Sequence, residues 1–221
     1  KLLPISSPNL LDKIKTSASA ATSLIPKFKP WPAIGWILWA VSPIITNFSF
    51  TKLNWSLDTE IPFDPDLAKQ LKIEAGYSDL NPFPKLEILF NTSEDHKKIA
   101  LVIQQMWKRY LGIDVVLVNQ DWKVYLSREM IGDFQVSRAG WIGDYEDPNT
   151  FLDLMRPNRG NNKTGWEDPD YDAILQKANS SNNQDERFEL LNQAEELLID
   201  NMPIIPLYTY VRAYQLSPDV K

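Results

Sequence analysis

Cysteine is absent from the 221-residue chain, and His96 is the only histidine. Disulfides, thiolate metal sites and cysteine nucleophiles are therefore excluded. A lone imidazole argues against a serine–histidine–aspartate triad and against a multi-histidine metal site. Positive charge is also short: 23 Lys and Arg stand against 29 Asp and Glu, a formal charge of −6. Such a balance does not neutralise a phosphate backbone, so no nucleic-acid partner is expected. Charge of either sign vanishes between Pro30 and Phe50, but Pro32, Gly35 and Pro43 interrupt this run. Its uncharged core lies near the lower limit for a membrane span. Three readings of 27–63 stay open: a poorly specified or frame-disturbed segment, a buried loop with short strands, or a membrane contact. The chain opens on Lys1 with no signal-peptide pattern, which points to a fragment or an interrupted reading frame.

What is present is ordinary for a globular protein, with 43% hydrophobic and 24% charged residues. The length suits one sizeable core, or one domain with an appendage. Eight tryptophans and eight tyrosines are many for this length. Each can serve a core or an amphipathic ligand surface. The boundary falls near residue 63, dividing an N-terminal segment (1–63) from a regular domain (64–221).

Residues 8–18 carry one helical pattern, and Ala21 to Pro26 reads as extended. Regular punctuation begins at Asp64-Pro65, a cap and first-turn proline before a helix closed by Gly76. Leu86–Phe90 reads as a strand. Ser93 is expected to cap a long helix whose stripe is Ile99, Val102, Ile103, Met106 and Tyr110, stopped near Gly112. Ile113–Val118 is the next strand. Strand, long helix, strand calls for a right-handed parallel βαβ crossover. Asp121 caps a helix over Trp122–Met130, and Phe134–Trp141 is β-type. Asp147-Pro148 starts a helix through Phe151, Leu152 and Met155, and 157–166 is loop by composition. Further helices run from Asp168-Pro169 and over Gln184–Asn201. Ile204–Val211 reads as a final strand.

Several of these segments together resemble one family. The helix Asp64-Pro-Asp-Leu-Ala-Lys-Gln-Leu…Glu-Ala-Gly-Tyr77, the strand and helix Leu89-Phe-Asn-Thr-Ser…His96-Lys-Lys-Ile-Ala, and Leu111-Gly-Ile-Asp-Val are the first. Asn119-Gln-Asp-Trp122, Arg138-Ala-Gly-Trp-Ile-Gly-Asp-Tyr-Glu-Asp-Pro148 and Ile204-Ile-Pro-Leu-Tyr-Thr-Tyr210 complete the order. This set resembles the extracytoplasmic solute-binding proteins that feed peptide ABC importers, in particular the oligopeptide-binding proteins. The resemblance implies an α/β, periplasmic-binding-protein-like lobe, with a mixed sheet, flanking helices and a parallel βαβ unit. Family members are much longer, so the chain corresponds to their C-terminal lobe. Residues 27–63 do not look like the family's connecting segment.

The resemblance also implies a function. Such a protein binds oligopeptides outside the cytoplasm of a bacterial cell, in the periplasm or another extracytoplasmic space, as a monomer. It hands them to membrane permease subunits without a cofactor and without catalysis. A receptor for many peptide sequences should pair the charged α-amino group and the backbone firmly, leaving side chains in roomy pockets. The family pattern places the amino-group carboxylate at Asp144. Arg138, Ala139 and Gly140 would line the ligand, with a salt bridge the alternative for Arg138. Trp122 and Trp141 would border side-chain pockets. Tyr208 or Tyr210 would present a hydroxyl from the last strand. Asp147 reads instead as a helix cap, Glu146 as solvent-facing, and His96 as a cap or surface residue of the long helix. Where relatives can carry an arginine seven residues after the tryptophan, Glu129 stands here, with Arg128 one position earlier. Three alternatives remain, the first being a binder of another solute: an oligosaccharide, a nickel complex or haem. Asp144, Glu146 and Asp147 offer candidates for the two carboxylates of a glycosidase, but acids clustered on one loop do not oppose each other across a cleft. Half of a two-lobed clamp can also lack function altogether.

Overall fold

The computed structural model describes residues 49–50, 55–56, 63–157 and 160–208. The expected helix in 8–18, the extended segment at 21–26, most of 27–62 and the end of the chain from 209 lie outside these residues. Within 27–63, two short strands, β1 (Ser49–Phe50) and β2 (Trp55–Ser56), pair antiparallel.

The regular domain begins with α1 (Pro65–Glu74), where the Asp64 carboxylate accepts from the Leu67 amide at 2.9 Å. Next come β3 (Leu86–Asn91), α2 (Glu94–Leu111) and β4 (Val115–Gln120), the expected βαβ unit, with β3 and β4 parallel in register. Gly112 ends α2 in the left-handed region at φ 70°, a conformation that costs glycine nothing. Ser93 precedes α2 but makes no side-chain cap bond. The buried stripe of α2 is Ala100, Ile103, Trp107 and Leu111, while Val102 is exposed. Two overlapping apolar stripes exist in this helix, and the one that buries the large Trp107 ring faces the sheet. Of the stripe expected from spacing, Ile103 is buried and Ile99 and Tyr110 pack against the same core, while Val102 turns outward.

The chain continues through α3 (Trp122–Met130), capped by Asp121, and β5 (Val136–Ser137). The short α4 (Asn149–Leu152) is continued by a 3-10 turn at Asp153–Met155. Then follow α5 (Pro169–Ser180), capped by Asp168, and α6 (Gln184–Asn201). The sheet order is β4-β3-β5, and both pairings are parallel. It is therefore not mixed among the described residues. Central β3 buries Leu86, Ile88, Leu89 and Phe90, which is why its sequence reads as a near-continuous apolar run.

The expected strand at 204–211 is not formed over its described part, 204–208. Pro203 and Pro206 lack the N–H groups a ladder needs. Ile205 and Leu207 instead pack against the sheet's core. The expected β run 134–141 contracts to Val136–Ser137, which pairs with Ile88 and Leu89 of β3.

Two apolar clusters hold the domain together. One joins Ala68, Leu71, Ile88, Ile103, Trp107 and Ile113 with Ile199 and Met202 at the end of α6. The second gathers Leu152, Met155, Tyr171, Leu175, Leu191, Ala194 and Leu198. Helix α6 contributes to both, so it ties the α4–α5 layer to the sheet. At the margin of the second cluster, Arg156, 9% exposed, pairs with Asp172 at 2.6 Å and with Asp153 at 3.2 Å.

Candidate ligand-binding site

In a parallel sheet every strand ends on the same edge, and the loops leaving that edge converge. Here three do so. Leaving β4, the chain enters α3 through Trp122; leaving β3, it enters α2 and reaches His96; leaving β5, it runs through Arg138 to Asp144. Residues 139–146 are all exposed, forming a ledge of backbone and side chains beyond the sheet.

Arg138 is half-buried where the ledge begins, and its amide donates to the Leu89 carbonyl at 2.8 Å, prolonging the β3–β5 ladder by one bond. The Tyr125 hydroxyl donates to the Arg138 carbonyl, and the Trp122 ring stacks on Tyr125 with centroids 5.5 Å apart. Trp122, Tyr125 and Arg138 thus form one connected group. Burial pushes the Tyr125 phenol up, which keeps it a neutral donor. Trp122 is 57% exposed and Trp141 40%, so neither is a core residue, and Ile142 and Tyr145 extend the same apolar surface.

Ala139 and Gly140 lie on the exposed ledge. A side chain at Gly143 would meet Thr150 Cγ2 at 3.1 Å and the Phe151 ring at 3.3 Å, so this glycine lets the ledge fold back onto α4. Asp144 is exposed, and its amide donates to Thr150 Oγ1 at 3.0 Å. Its carboxylate is therefore open to solvent in this chain rather than poorly solvated. Asp147 caps α4, accepting from the Asn149 amide at 2.9 Å, and also takes a bidentate ion pair from Arg187 at 2.8 Å on each arm. Glu146 is exposed, as expected. Tyr208 is half-buried and belongs to no strand, and Tyr210 lies outside the described residues.

His96 lies in the first turn of α2, as expected, and is half-buried where the charge of Arg138 reaches it. Burial, then the charge of Arg138, hold its imidazole below the usual histidine range, leaving it neutral near pH 7. Its Nδ1 is buried and has no hydrogen-bond partner among the described residues. No local pattern could show this, because the two residues lie 42 positions apart in the sequence and only the β3–β5 pairing unites them. Nor does Arg128 reach the ledge: it is held by Asp133 at 2.8 Å, while Glu129 accepts from the Ser137 hydroxyl at 2.6 Å. Groups of His, Asp or Glu able to hold a metal ion are absent among the described residues.

Comparison with known proteins decides the family. The model described as "Bacterial extracellular solute-binding proteins, family 5 Middle" matches residues 11–163. The chain belongs to this family. It is 39% identical over 184 residues to the oligopeptide-binding protein OppA of Bacillus subtilis, covering 82% of this chain and 34% of that protein. It is 42% identical over 154 residues to the periplasmic murein peptide-binding protein MppA of Escherichia coli, covering 70% of this chain and 28% of that protein. Among solved structures, Haemophilus influenzae OppA in complex with the peptide RPPGFSPFR aligns with a TM-score of 0.73 at 30% identity. That alignment covers 81% of this chain and 39% of the other. This family 5 chain thus spans about a third of the length of these curated relatives. Their α/β fold is the one described above, with a parallel three-stranded sheet and flanking helices.

Proposed function

We propose that the chain supplies one lobe of a receptor for oligopeptides, the solute-binding component of an ABC importer working outside the cytoplasm. The exposed ledge at 139–146 supports this reading, because it carries an exposed carboxylate, open backbone and aromatic side chains beyond the carboxyl end of a parallel strand. Asp144 is the anchor for the peptide's α-amino group. Arg138, with His96 beside it, is the positive end of the ledge and suits the opposite charge of a peptide. Ala139 and Gly140 line the peptide backbone, and Trp122 and Trp141 border its side-chain pockets, with Tyr208 and Tyr210 at the margin. Relatives named for oligopeptides and murein peptides, several of them periplasmic, support this ligand class and this location. The reaction is binding and release to permease subunits, with no chemistry on the ligand. Residues 64–221 make up the lobe, and the protein acts as a monomer.

Calorimetric titration with tetra-alanine tests the assignment. Charge-assisted hydrogen bonds contribute about 1.5–3 kcal/mol, so Asp144→Asn should weaken binding roughly tenfold to a hundredfold. N-acetylation of the peptide should cost wild type a similar factor and the variant little. Equal affinity of wild type and variant for the free peptide would remove Asp144 from the anchor role.

A further inference from the structure

Arg187 lies on α6, outside the ledge, and nothing in its sequence neighbourhood links it to a ligand. Yet it reaches across 40 positions to grip Asp147 with both guanidinium arms at 2.8 Å, and both side chains are only about one-fifth exposed. Asp147 passes this restraint on. Its carboxylate holds the Asn149 amide at 2.9 Å, and its carbonyl accepts from the Thr150 amide at 3.1 Å. Thr150, 4% exposed, then offers Oγ1 to the Asp144 amide at 3.0 Å. A Cβ at Gly143 would crowd Thr150 and Phe151, so the glycine lets the same turn close from the other side. The Asn149 amide group donates to the Tyr145 hydroxyl at 3.3 Å, so the residue after Asp144 is tied to α4 as well.

We propose that Arg187 is a positioning residue for the ligand anchor, acting through Asp147 and Thr150 to fix the backbone at Asp144. This rests on the reading of Asp144 as the amino-group anchor. The physical case is one of preorganisation. An exposed carboxylate on an eight-residue exposed ledge would sample many positions, and binding would have to order it each time. A bidentate arginine pair is directional and partly shielded from solvent, so it restrains orientation as well as distance. Helix α6 is anchored in both apolar clusters, which makes it a rigid origin for the restraint.

The experiment uses the whole chain, with hydrogen exchange at the Asp144 amide in the absence of peptide, and titration with tetra-alanine and N-acetyl-tetra-alanine. Arg187→Gln should speed exchange at Asp144 about tenfold while amides in β3 keep their protection. It should also lower the preference for the free over the acetylated peptide about tenfold. In an Asp144→Asn background the same change should have no further effect on that preference, since residues acting through one another are not additive. Thr150→Val, which keeps the side-chain shape but removes Oγ1, should reproduce the exchange effect even where Arg187→Gln folds poorly. Unchanged exchange at Asp144 in either soluble variant overturns the proposal, as does an equal loss of affinity for both peptides. If Asp144→Asn itself leaves the free-to-acetylated preference intact, the anchor reading fails, and the exchange data still decide whether Arg187 positions this loop.

Discussion

Replacing Glu195 with glutamine should flatten the fall of stability between pH 4.5 and about 8. Glu195 sits on α6 beside the second apolar cluster, largely buried, and its Oε2 has no hydrogen-bond partner among the described residues. Burial pushes its carboxyl up from 4.5 to about 8. Burial, then the charges of Glu195 and Asp153, raise the Tyr171 phenol, while Arg156 is engaged by Asp172 and Asp153. The sign follows from proton binding. Between pH 4.5 and 8 the folded chain holds a proton at Glu195 that the unfolded chain has released. Stability therefore falls as pH rises through this window and levels off above it. Fully counted, the shift corresponds to at most about 5 kcal/mol, and partial contact with water brings it to roughly 2–4 kcal/mol. Glu195→Gln should match wild type near pH 5 and exceed it in stability at pH 9. Urea midpoints at both values measure this. Parallel profiles for the two chains would show that Glu195 ionises freely in the fold.

A second large effect is expected at Trp107. It is 2% exposed and is surrounded by Ala68, Leu71, Ile103, Leu111 and Ile113 between α1, α2 and the sheet. Trp107→Ala removes the largest side chain of that cluster and leaves a void that close-packed neighbours fill only in part, at a cost of about 3–5 kcal/mol. Trp122→Ala, on the exposed edge, should change stability by less than about 1 kcal/mol while affecting the ligand surface. Thermal melts of the two variants separate structural from surface tryptophan. Similar melting points would mean that Trp107 does not organise the core.

This contrast marks the limit of what could be read from the residues alone. Both tryptophans lie on helices with comparable amphipathic spacing, and local sequence does not say which faces the sheet. The α2 stripe shows the same difficulty: Val102 and Met106 fit a helical period as well as Ile103 and Trp107 do, and only packing against β3 and β4 chose between them. Legible signals were those with a local cause. Asp64, Asp121 and Asp168 cap their helices because a carboxylate within reach of free amides acts over two or three residues. Gly112 ends α2 for an equally local reason. The strand at 204–208 failed because an apolar run suggested a ladder, while two prolines remove donors and the chain packs its side chains without pairing.

The sequence by itself determined the order of helices and strands, the parallel βαβ unit, the family, and Asp144 as the ledge's candidate anchor. Each depends on local chemistry or on a run of motifs in order. Only the tertiary structure decided that His96 stands beside Arg138, that Arg187 grips Asp147, and that Trp122 reaches Arg138 through Tyr125. These partners come from different elements, brought together where three parallel strands end and where α6 crosses to α4. The ledge itself is legible along the chain; what steadies it comes from residues far away in the sequence, because restraint across a fold is set by packing and not by neighbourhood.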